Sequence, residues 1–267
     1  MYSIGIDSGS RMTKFCLFDV GKQAVIAYHL EESRSNHEEQ IEQIIKKKLL
    51  KYQIDRSLIK SIICTGYGRK NYSKSTKYTS EIICHAAGVY QQNKSIRTVI
   101  DIGGQDSKII RMSEQGKVID FQMNDKCAAG SGRFIEKVAE YFKIEIDEMS
   151  DLSEKSDKNI EISSTCVVFS ESEIIGLVSA GEKKENIINA VHNSIVQRIL
   201  GMSGGLGIEY PIAFVGGVAK NKGMVRALGI ILGGDVYVPE MPEFTGALGA
   251  ARIIDNGIRN SEFGVRN

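Results

Sequence analysis

The sequence predicts an α/β fold made of two similar halves, and two observations carry this prediction. The first is a β-meander of three short apolar strands, "YSIGID", "TKFCLFDV" and "AVIAYHL", separated by the turns "SGSR" and "GKQ". The second is that the pattern restarts with "RTVIDIGG", "SKIIRMS" and "KVIDFQMN". The first strand of each meander ends in Asp and is followed by glycine, which indicates duplication of a whole domain.

Helices are predicted between and after these strands. A polar helical stretch covers about 36–51, and the apolar strand "IKSIICTG" leads to a helix near 80–92. In the second half, "SGRFIEKVAEYF" follows the meander, a long helical region covers roughly 171–207, and the small-residue helix "FTGALGAARII" comes near the end. The predicted domains are 1–93, joined by a C-terminal helix at about 250–267, and 94–249.

Composition excludes several classes of protein. The chain has 267 residues, is 42% hydrophobic, and carries a net charge of +1 without a basic block, which argues against nucleic acid and anionic membranes as partners. The N-terminal "MYSIGIDSGS" lacks the features of a signal peptide, and no stretch is apolar enough to span a bilayer. Together with five cysteines, these features predict a protein of the reducing cytoplasm.

The first glycine turn, "DSGSRMTK", has the composition of a phosphate loop. Asp7 ends the first strand, where a carboxylate can hold a hydrated Mg²⁺ that carries nucleotide phosphates. Gly9 and Ser10 let backbone N–H groups approach a phosphate, and Thr13 and Lys14 add side-chain donors. We therefore expect this turn to bind phosphate.

The second glycine turn, "DIGGQDSK", repeats the first at the head of the second meander. Asp101 is again the carboxylate on the metal side, and Gly103 and Gly104 again allow backbone contact with phosphate. Gln105 or Asp106 would orient an attacking water. One such turn alone is typical of an ordinary hairpin, but its repetition on matched meanders favours a ligand site.

A third glycine turn, "VGGVAKNKG", follows a buried strand, and Gly216 and Gly217 would let a flat base lie against the backbone. Neither a Walker pattern nor a Rossmann fingerprint after the first strand is present. The order of DSGS, DIGGQD and VGGVAKN resembles the phosphate-1, phosphate-2 and adenosine motifs of the actin, sugar-kinase and Hsp70 ATPase superfamily. The resemblance implies two ribonuclease-H-like domains with ATP and Mg²⁺ in a cleft between them. We expect Lys220 and Asn221 near the base and Glu136 near the ribose.

Two of the five cysteines occupy matched positions. Cys127 and Cys166 each lie between a predicted strand and a predicted helix, flanked by small residues. Helix N-termini favour thiolate over thiol and attract anions. The other three, Cys16, Cys64 and Cys84, lie inside apolar runs and are predicted to be core residues.

Two thiolates in one chain are too few for a cubane iron–sulfur cluster, which normally takes four. The four histidines are scattered along the sequence, so they do not complete a zinc site; they are His29, His37, His85 and His192. A twofold dimer would bring four cysteines to one axis.

The segments "DFQMNDKCAAGSGRF" (120–134) and "ISSTCVVFSESE" (162–173) resemble those of the ATP-dependent activators of 2-hydroxyacyl-CoA dehydratases, benzoyl-CoA reductase-type enzymes and double-cubane cluster proteins. The similarity runs along the whole chain and includes "CTGYGR", "DIGGQDSK" and "FTGALGAA". It implies a homodimer with one [4Fe-4S] cluster held by Cys127 and Cys166 of each subunit. It also implies helix N-termini directed at that cluster, a ferredoxin or flavodoxin donor, and closure on ATP with opening on ADP.

One position departs from the dehydratase activators, whose first phosphate motif resembles G-S-T-A-S-K. Here Arg11 and Met12 take the place of smaller residues and are expected to change what surrounds the phosphates, while the hydroxyl–lysine pair survives as Thr13–Lys14. The departure leaves two branches open, with either a dehydratase or a double-cubane protein as the electron acceptor. The rival functions are a small-molecule kinase of the N-acetylhexosamine type on the same fold, and a non-enzymatic nucleotide sensor or scaffold.

Overall fold

The computed structural model describes residues 1–163 and 166–253, and within them the chain forms two five-stranded sheets flanked by helices. One compact unit consists of Met1–Val99, Ile110–Asp120 and the segment from Glu243 onward, and the other consists of Ile100–Ile109 and Phe121–Pro242. The domain limits 1–93 and 94–249 stay a prediction. From residue 254 the predicted C-terminal helix at about 250–267 lies outside the described residues.

The described strands are β1 (Tyr2–Ser8), β2 (Met12–Asp19), β3 (Ala24–Glu32), β4 (Ile59–Thr65), β5 (Lys77–Tyr78), β6 (Thr98–Ile102), β7 (Ser107–Met112), β8 (Val118–Asn124), β9 (Ile212–Val215) and β10 (Val236–Tyr237). The described α-helices are α1 (His37–Lys51), α2 (Glu81–Gln92), α3 (Gly132–Phe142), α4 (Ile146–Glu154), α5 (Val167–Ser179), α6 (Lys184–Met202), α7 (Lys222–Leu232) and α8 (Thr245–Arg252).

The first sheet has the strand order β3-β2-β1-β4-β5. Strands β1, β2 and β3 form the predicted antiparallel meander, and β4 lies parallel to β1. Central strand β1 is buried on both faces, which explains its nearly continuous apolar run. Helix α1 begins where Asn36 accepts a hydrogen bond from the Glu39 N–H, as a good N-cap residue does.

The second sheet has the order β8-β7-β6-β9-β10, which is the order of the first sheet strand for strand. Its first three strands follow the second predicted meander. The predicted duplication of a sheet-forming unit is therefore confirmed within the described residues. The core of the second unit gathers Ile100, Phe134, Ile187 and Phe214, all of which are fully buried or nearly so.

Glycines allow α2 and α8 to pack with their backbones in contact. A Cβ atom at Gly249 would overlap the carbonyl oxygen of Cys84, and one at Gly88 would overlap that of Thr245. The small residues of the segment "FTGALGAARII" make this close packing possible. The close approach places the start of α8 beside the end of β1, where Asp7 lies.

The structure corrects two sequence predictions. The helical region predicted over roughly 171–207 is two helices, α5 and α6, because Gly181 adopts a φ of +79° and ends the first one. The segment before Cys166 is not a strand over the described residues 155–163, since its backbone joins neither sheet. Instead, Asn186 on α6 holds its beginning by accepting hydrogen bonds from the Asp157 and Lys158 N–H groups. In the part of the chain that the structure describes, every helix is too short or too polar to cross a membrane.

Candidate functional site

The first glycine turn is a hairpin between β1 and β2. The Gly9 N–H donates to the Met12 carbonyl at 3.2 Å, and the strand register places Asp7 directly opposite Lys14. Lys14 Nζ lies 3.0 Å from Asp7 Oδ2, with the Asp7 side chain almost fully buried and that of Lys14 one-fifth exposed. Ser10 is exposed at the loop tip. The loop thus combines a buried carboxylate, an accessible cation and exposed backbone.

Thr13 is positioned differently from the prediction of a phosphate donor. It is fully buried, and its hydroxyl lies 3.1 Å from Ser33 Oγ and 3.4 Å from Gln40 Oε1. Ser33 also donates through Oγ to the Gly9 carbonyl at 2.7 Å, and its N–H donates to the Arg11 carbonyl. In this structure the Thr13 hydroxyl therefore helps to fix the loop from beneath.

A second loop of the same unit closes on the end of β1. Gly66 has a φ of +89°, and a Cβ there would overlap the Ser8 carbonyl. The Gly68 N–H donates to that same carbonyl at 2.9 Å. The glycines of "CTGYGR" are thus required by close contact with the strand that carries Asp7.

The second glycine turn contains a buried ionic triad. Lys108 is 1% exposed, and its Nζ lies 2.8 Å from Asp106 Oδ2 and 3.2 Å from Asp101 Oδ2. The Gly103 N–H closes the turn on the Asp106 carbonyl, whereas Gln105 is exposed at the tip. Lys108 was not among the predicted site residues. It lies on β7 two residues after Asp106, a spacing at which both side chains point to the same side of an extended chain.

The third glycine turn follows β9, and its Gly216 packs against the second glycine turn. Gly216 has a φ of +87°, and a Cβ there would overlap Asp101 Oδ1 and the Ile102 carbonyl. By contrast, a Cβ at Gly217 would meet no atom within 4 Å, and the residue is exposed. Asp101 and Gly216 are therefore neighbours, and Gly217 presents open backbone of the kind that a flat base needs.

Three other predicted nucleotide contacts have the following surroundings. Asn221 is buried, caps α7 by accepting from the Met224 N–H, and accepts from Ser150 Oγ at 2.9 Å. Lys220 is exposed at the end of the short turn before it. Glu136 lies on α3, where its Oε2 is 3.1 Å from Arg133 Nη1.

Cys127 is partly exposed and held by a side-chain clamp. Asn124 accepts from the Cys127 N–H at 3.0 Å through Oδ1 and donates to the Cys127 carbonyl at 2.7 Å through Nδ2. A short 3-10 turn, Ala128–Gly130, then leads into α3. One amide thus orients both backbone polar groups of Cys127, which fixes the direction of its Cα–Cβ bond.

Cys166 is also partly exposed and is the N-cap residue of α5. Ser164 and Thr165 lie outside the described residues. Just before them, Ser163 donates to Glu173 Oε1 through both its N–H (3.0 Å) and its hydroxyl (3.1 Å). Glu173 therefore ties the segment that leads to Cys166 to the body of the helix that follows it.

The first two N–H groups of α3 are paired with another segment, although helix N-termini commonly leave theirs without a partner in the chain. The Gly132 N–H donates to the Gly103 carbonyl and the Arg133 N–H to the Gly104 carbonyl, each at 2.9 Å. These donors are already used because the second glycine turn packs on the helix end. The hydrogen bonds join the predicted phosphate loop to the helix that follows Cys127.

Arg198, on α6, belongs to this region but was not among the predicted site residues. It lines a cavity of about 430 Å³ together with Cys127, Asn124 and Ser107. Burial lowers the pKa of its guanidinium, while the neighbouring Cys127, Glu173 and Cys166 raise it. A cation that is distant in sequence therefore lies within electrostatic range of both predicted ligand thiols.

The other three cysteines are core residues, as predicted. Cys16, Cys64 and Cys84 are fully buried, and burial raises the pKa of each thiol, that of Cys64 to about 11. Within residues 1–163 and 166–253, no group of three or more His, Cys, Asp or Glu side chains is arranged to hold a metal ion. Cys127 and Cys166 fit half of a four-thiolate cluster site, because both are accessible, near one cation and free of disulfide bonds.

Comparison with known proteins identifies the family. Residues 4–253 match the family described as "BadF/BadG/BcrA/BcrD ATPase family". The chain belongs to this ATPase family. It is 43% identical over 251 residues to the "activator of lactoyl-CoA dehydratase" of Anaerotignum propionicum. The aligned region covers 94% of this chain and 96% of that protein. The predicted resemblance to dehydratase activators is confirmed.

Solved structures confirm the predicted fold class. The "activator of the 2-hydroxyisocaproyl-CoA dehydratase from Clostridium difficile with bound ADPNP" matches with a TM-score of 0.88 and 37% identity, over 100% of this chain and 99% of that one. A ROK family glucokinase from Streptomyces griseus matches with a TM-score of 0.55 at 13% identity, over 95% and 99% of the two chains. The second likeness concerns the fold alone, that of the actin-like ATPases, and lends no weight to the kinase alternative.

Proposed function

We propose that this chain is a reductive activating ATPase, which uses ATP hydrolysis to deliver single electrons to an iron–sulfur partner enzyme. The observation that carries the proposal is the pair of accessible cysteines, Cys127 and Cys166, within range of Arg198 in a member of an ATPase family. Its relatives named as dehydratase activators favour a 2-hydroxyacyl-CoA dehydratase as the partner, with a double-cubane protein as the other candidate.

ATP would be bound through the three glycine turns. Asp7 and Asp101 would hold Mg²⁺ through water, because both are carboxylates at strand ends beside partly exposed glycine backbone. Gly9, Ser10 and Lys14 would contact phosphates, as would Gly103 and Gly104. On the side of the base, Gly217 offers open backbone, and Gly216, Lys220 and Asn221 would lie there with it. Glu136 would lie near the ribose.

Gln105 is the better of the two candidates for positioning the attacking water. The Asp106 carboxylate is bound to Lys108 at 2.8 Å and its carbonyl accepts from Gly103, so both of its polar groups are used inside the turn. Gln105 is exposed and carries both a donor and an acceptor. Gln105→Ala should lower kcat for ATP hydrolysis by about 10²-fold or more, with little change in KM. A kcat within about threefold of wild type would instead favour Asp106.

The cysteines would hold the redox centre. Cys127 and Cys166 of two subunits would supply the four thiolates of one [4Fe-4S] cluster, which when bound provides one-electron chemistry at low potential. Asn124 would orient Cys127, and Glu173 would fix the chain segment before Cys166. Two subunits are needed because one chain has only half of the ligands.

Helix α5 supports the homodimer. Beyond Cys166 it exposes apolar side chains, with Val168 at 64%, Phe169 at 67% and Ile175 at 49% exposure. Large exposed apolar side chains clustered on one helix mark a surface that another protein covers. A second copy of this chain is the occupant that also completes the ligand set, so we assign this face to the dimer interface.

The turn–helix hydrogen bonds offer a path from ATP to the cysteines. The carbonyls of Gly103 and Gly104 accept from the first two N–H groups of α3, directly after the Cys127 segment. A change in the turn when ATP is hydrolysed would therefore move the end of this helix, as small shifts at a nucleotide site do in other switches. A ferredoxin or flavodoxin would supply the electron, and the reducing cytoplasm suits the five free thiols.

The deciding experiment is anaerobic purification followed by iron and sulfide analysis per dimer. Wild type should contain about four of each, and Cys127→Ala and Cys166→Ala should each lose them. Cys16→Ala is the matched control, because that thiol is fully buried in the first unit and should leave the iron content unchanged. An iron-free dimer after reconstitution would refute the proposal, and phosphorylation of an amino sugar by it would establish the kinase alternative.

A further inference from the structure

Arg198 contacts both of the helices that follow the two cysteines. Its guanidinium lies over the ring of Phe134, on the first turn of α3, at 5.7 Å from the ring centroid. Its Nη2 donates to Ser170 Oγ at 3.4 Å, on the first turn of α5, and its Nη1 donates to Ser194 Oγ at 2.9 Å on its own helix. One planar side chain therefore bridges three helices.

The bridged turns lie shortly after the candidate ligands. Phe134 follows the Cys127 turn, and the Ser170 N–H donates to the Cys166 carbonyl at 2.9 Å. The cavity of about 430 Å³ has Cys127 and Arg198 in its wall. The guanidinium is therefore next to the space in front of one thiol and one helical turn from the other.

We propose that Arg198 is a positioning residue of the cysteine centre, which holds the first turns of α3 and α5 relative to each other and places a fixed positive charge beside both thiols. This inference rests on the proposed function. A thiolate-ligated cluster is an anion, and its reduced form carries one further negative charge. A nearby, partly buried cation stabilises the more negative form, so Arg198 raises the reduction potential of the centre.

The test compares the reconstituted homodimers of wild type, Arg198→Gln and Arg198→Lys in anaerobic redox titrations followed by visible and EPR spectra. Arg198→Gln should shift the equilibrium toward the oxidised form by on the order of tenfold, equivalent to about 59 mV for one electron. Arg198→Lys should stay near the wild-type potential because it keeps the charge. Ser170→Ala is the matched control, since it removes one bridging hydrogen bond and leaves the charge in place.

Positioning is tested on the iron-free protein by amide hydrogen exchange. Arg198→Gln should speed exchange in the segments around 127–134 and 166–170 and leave the first unit unchanged. Unchanged exchange in both segments would refute the positioning role, and a wild-type potential in an intact Arg198→Gln cluster would refute the electrostatic one.

Two further outcomes are decisive. If Arg198→Gln loses iron while Arg198→Lys keeps it at the wild-type potential, the positive charge is required, as proposed. If both variants lose iron, the shape of the guanidinium and not its charge holds the centre, and the electrostatic role is wrong. Absence of iron from reconstituted wild type would refute the proposed function itself, and the inference would fall with it.

Discussion

Acidification should destabilise the second unit through His192. This histidine lies on α6 and is fully buried beneath α7, where a Cβ at Gly223 would overlap its ring. Its Nε2 lies 3.5 Å from Asn221 Nδ2, and its Nδ1 has no hydrogen-bond partner. Burial, and secondarily the charge of Arg226, lowers the pKa of His192 to about 4.

The sign and size of the effect follow from proton linkage. The unfolded chain takes up a proton near pH 6.5, while the folded protein resists it until about pH 4. Above pH 6.5 both states are neutral and stability is unaffected, and below that pH the unfolded state gains the advantage. The free energy of unfolding should therefore fall by about 2 kcal/mol from pH 7 to pH 5, and by about 3 kcal/mol at pH 4.

Urea unfolding followed by far-UV circular dichroism suits a chain with no tryptophan. Midpoints and slopes at pH 7, 6 and 5 would be compared between wild type and His192→Gln, which cannot titrate in this range. The variant should be less stable at pH 7 but should lose about 2 kcal/mol less than wild type on going to pH 5. If the two pH dependences differ by less than about 0.5 kcal/mol, the argument from burial is wrong.

Two further perturbations test the packing on which the glycine turns and the helices depend. Lys108→Met leaves the buried carboxylates of Asp101 and Asp106 facing each other, so the urea midpoint should show a loss of about 3–5 kcal/mol. Adding Asp106→Asn should recover part of it, and simple additivity of the two changes would contradict the triad. Gly249→Ala should lower the unfolding free energy by about 3 kcal/mol or more, because its methyl group would overlap the α2 backbone. Gly201→Ala, at an open position of α6, should instead stabilise by up to about 1 kcal/mol; equal melting temperatures for these two variants would refute the close approach.

Local patterns in the sequence were sufficient to predict the duplicated framework. Short runs of apolar and β-branched residues mark the strands β1 to β3 and β6 to β8. The turn residues that end each strand are its immediate neighbours in the sequence. The pairing of Asp7 with Lys14 follows from the hairpin itself, because a short turn places the residues that flank it opposite each other. Cys127 and Cys166 could be paired from sequence because each directly precedes a helical turn.

Contacts between distant segments could not be read in this way. The direction of the Thr13 hydroxyl depends on Ser33 and Gln40, and the use of the α3 N–H groups depends on the glycine turn packed against that helix. Their partners belong to other elements, which come into contact only when the hydrophobic core forms. Local periodicity does not predict which distant elements will be in contact.

By itself, the sequence determined the two matched meanders, the three glycine turns, the core cysteines and the matched pair of cysteines, since each is encoded within a few neighbouring residues. Only the tertiary structure decided that Lys108 joins Asp101 to Asp106 and that Arg198 bridges the two helices that follow the cysteines. The physical reason is that a buried charge is stable only where packing supplies its partners. Those partners are chosen by the fold and not by their distance along the chain.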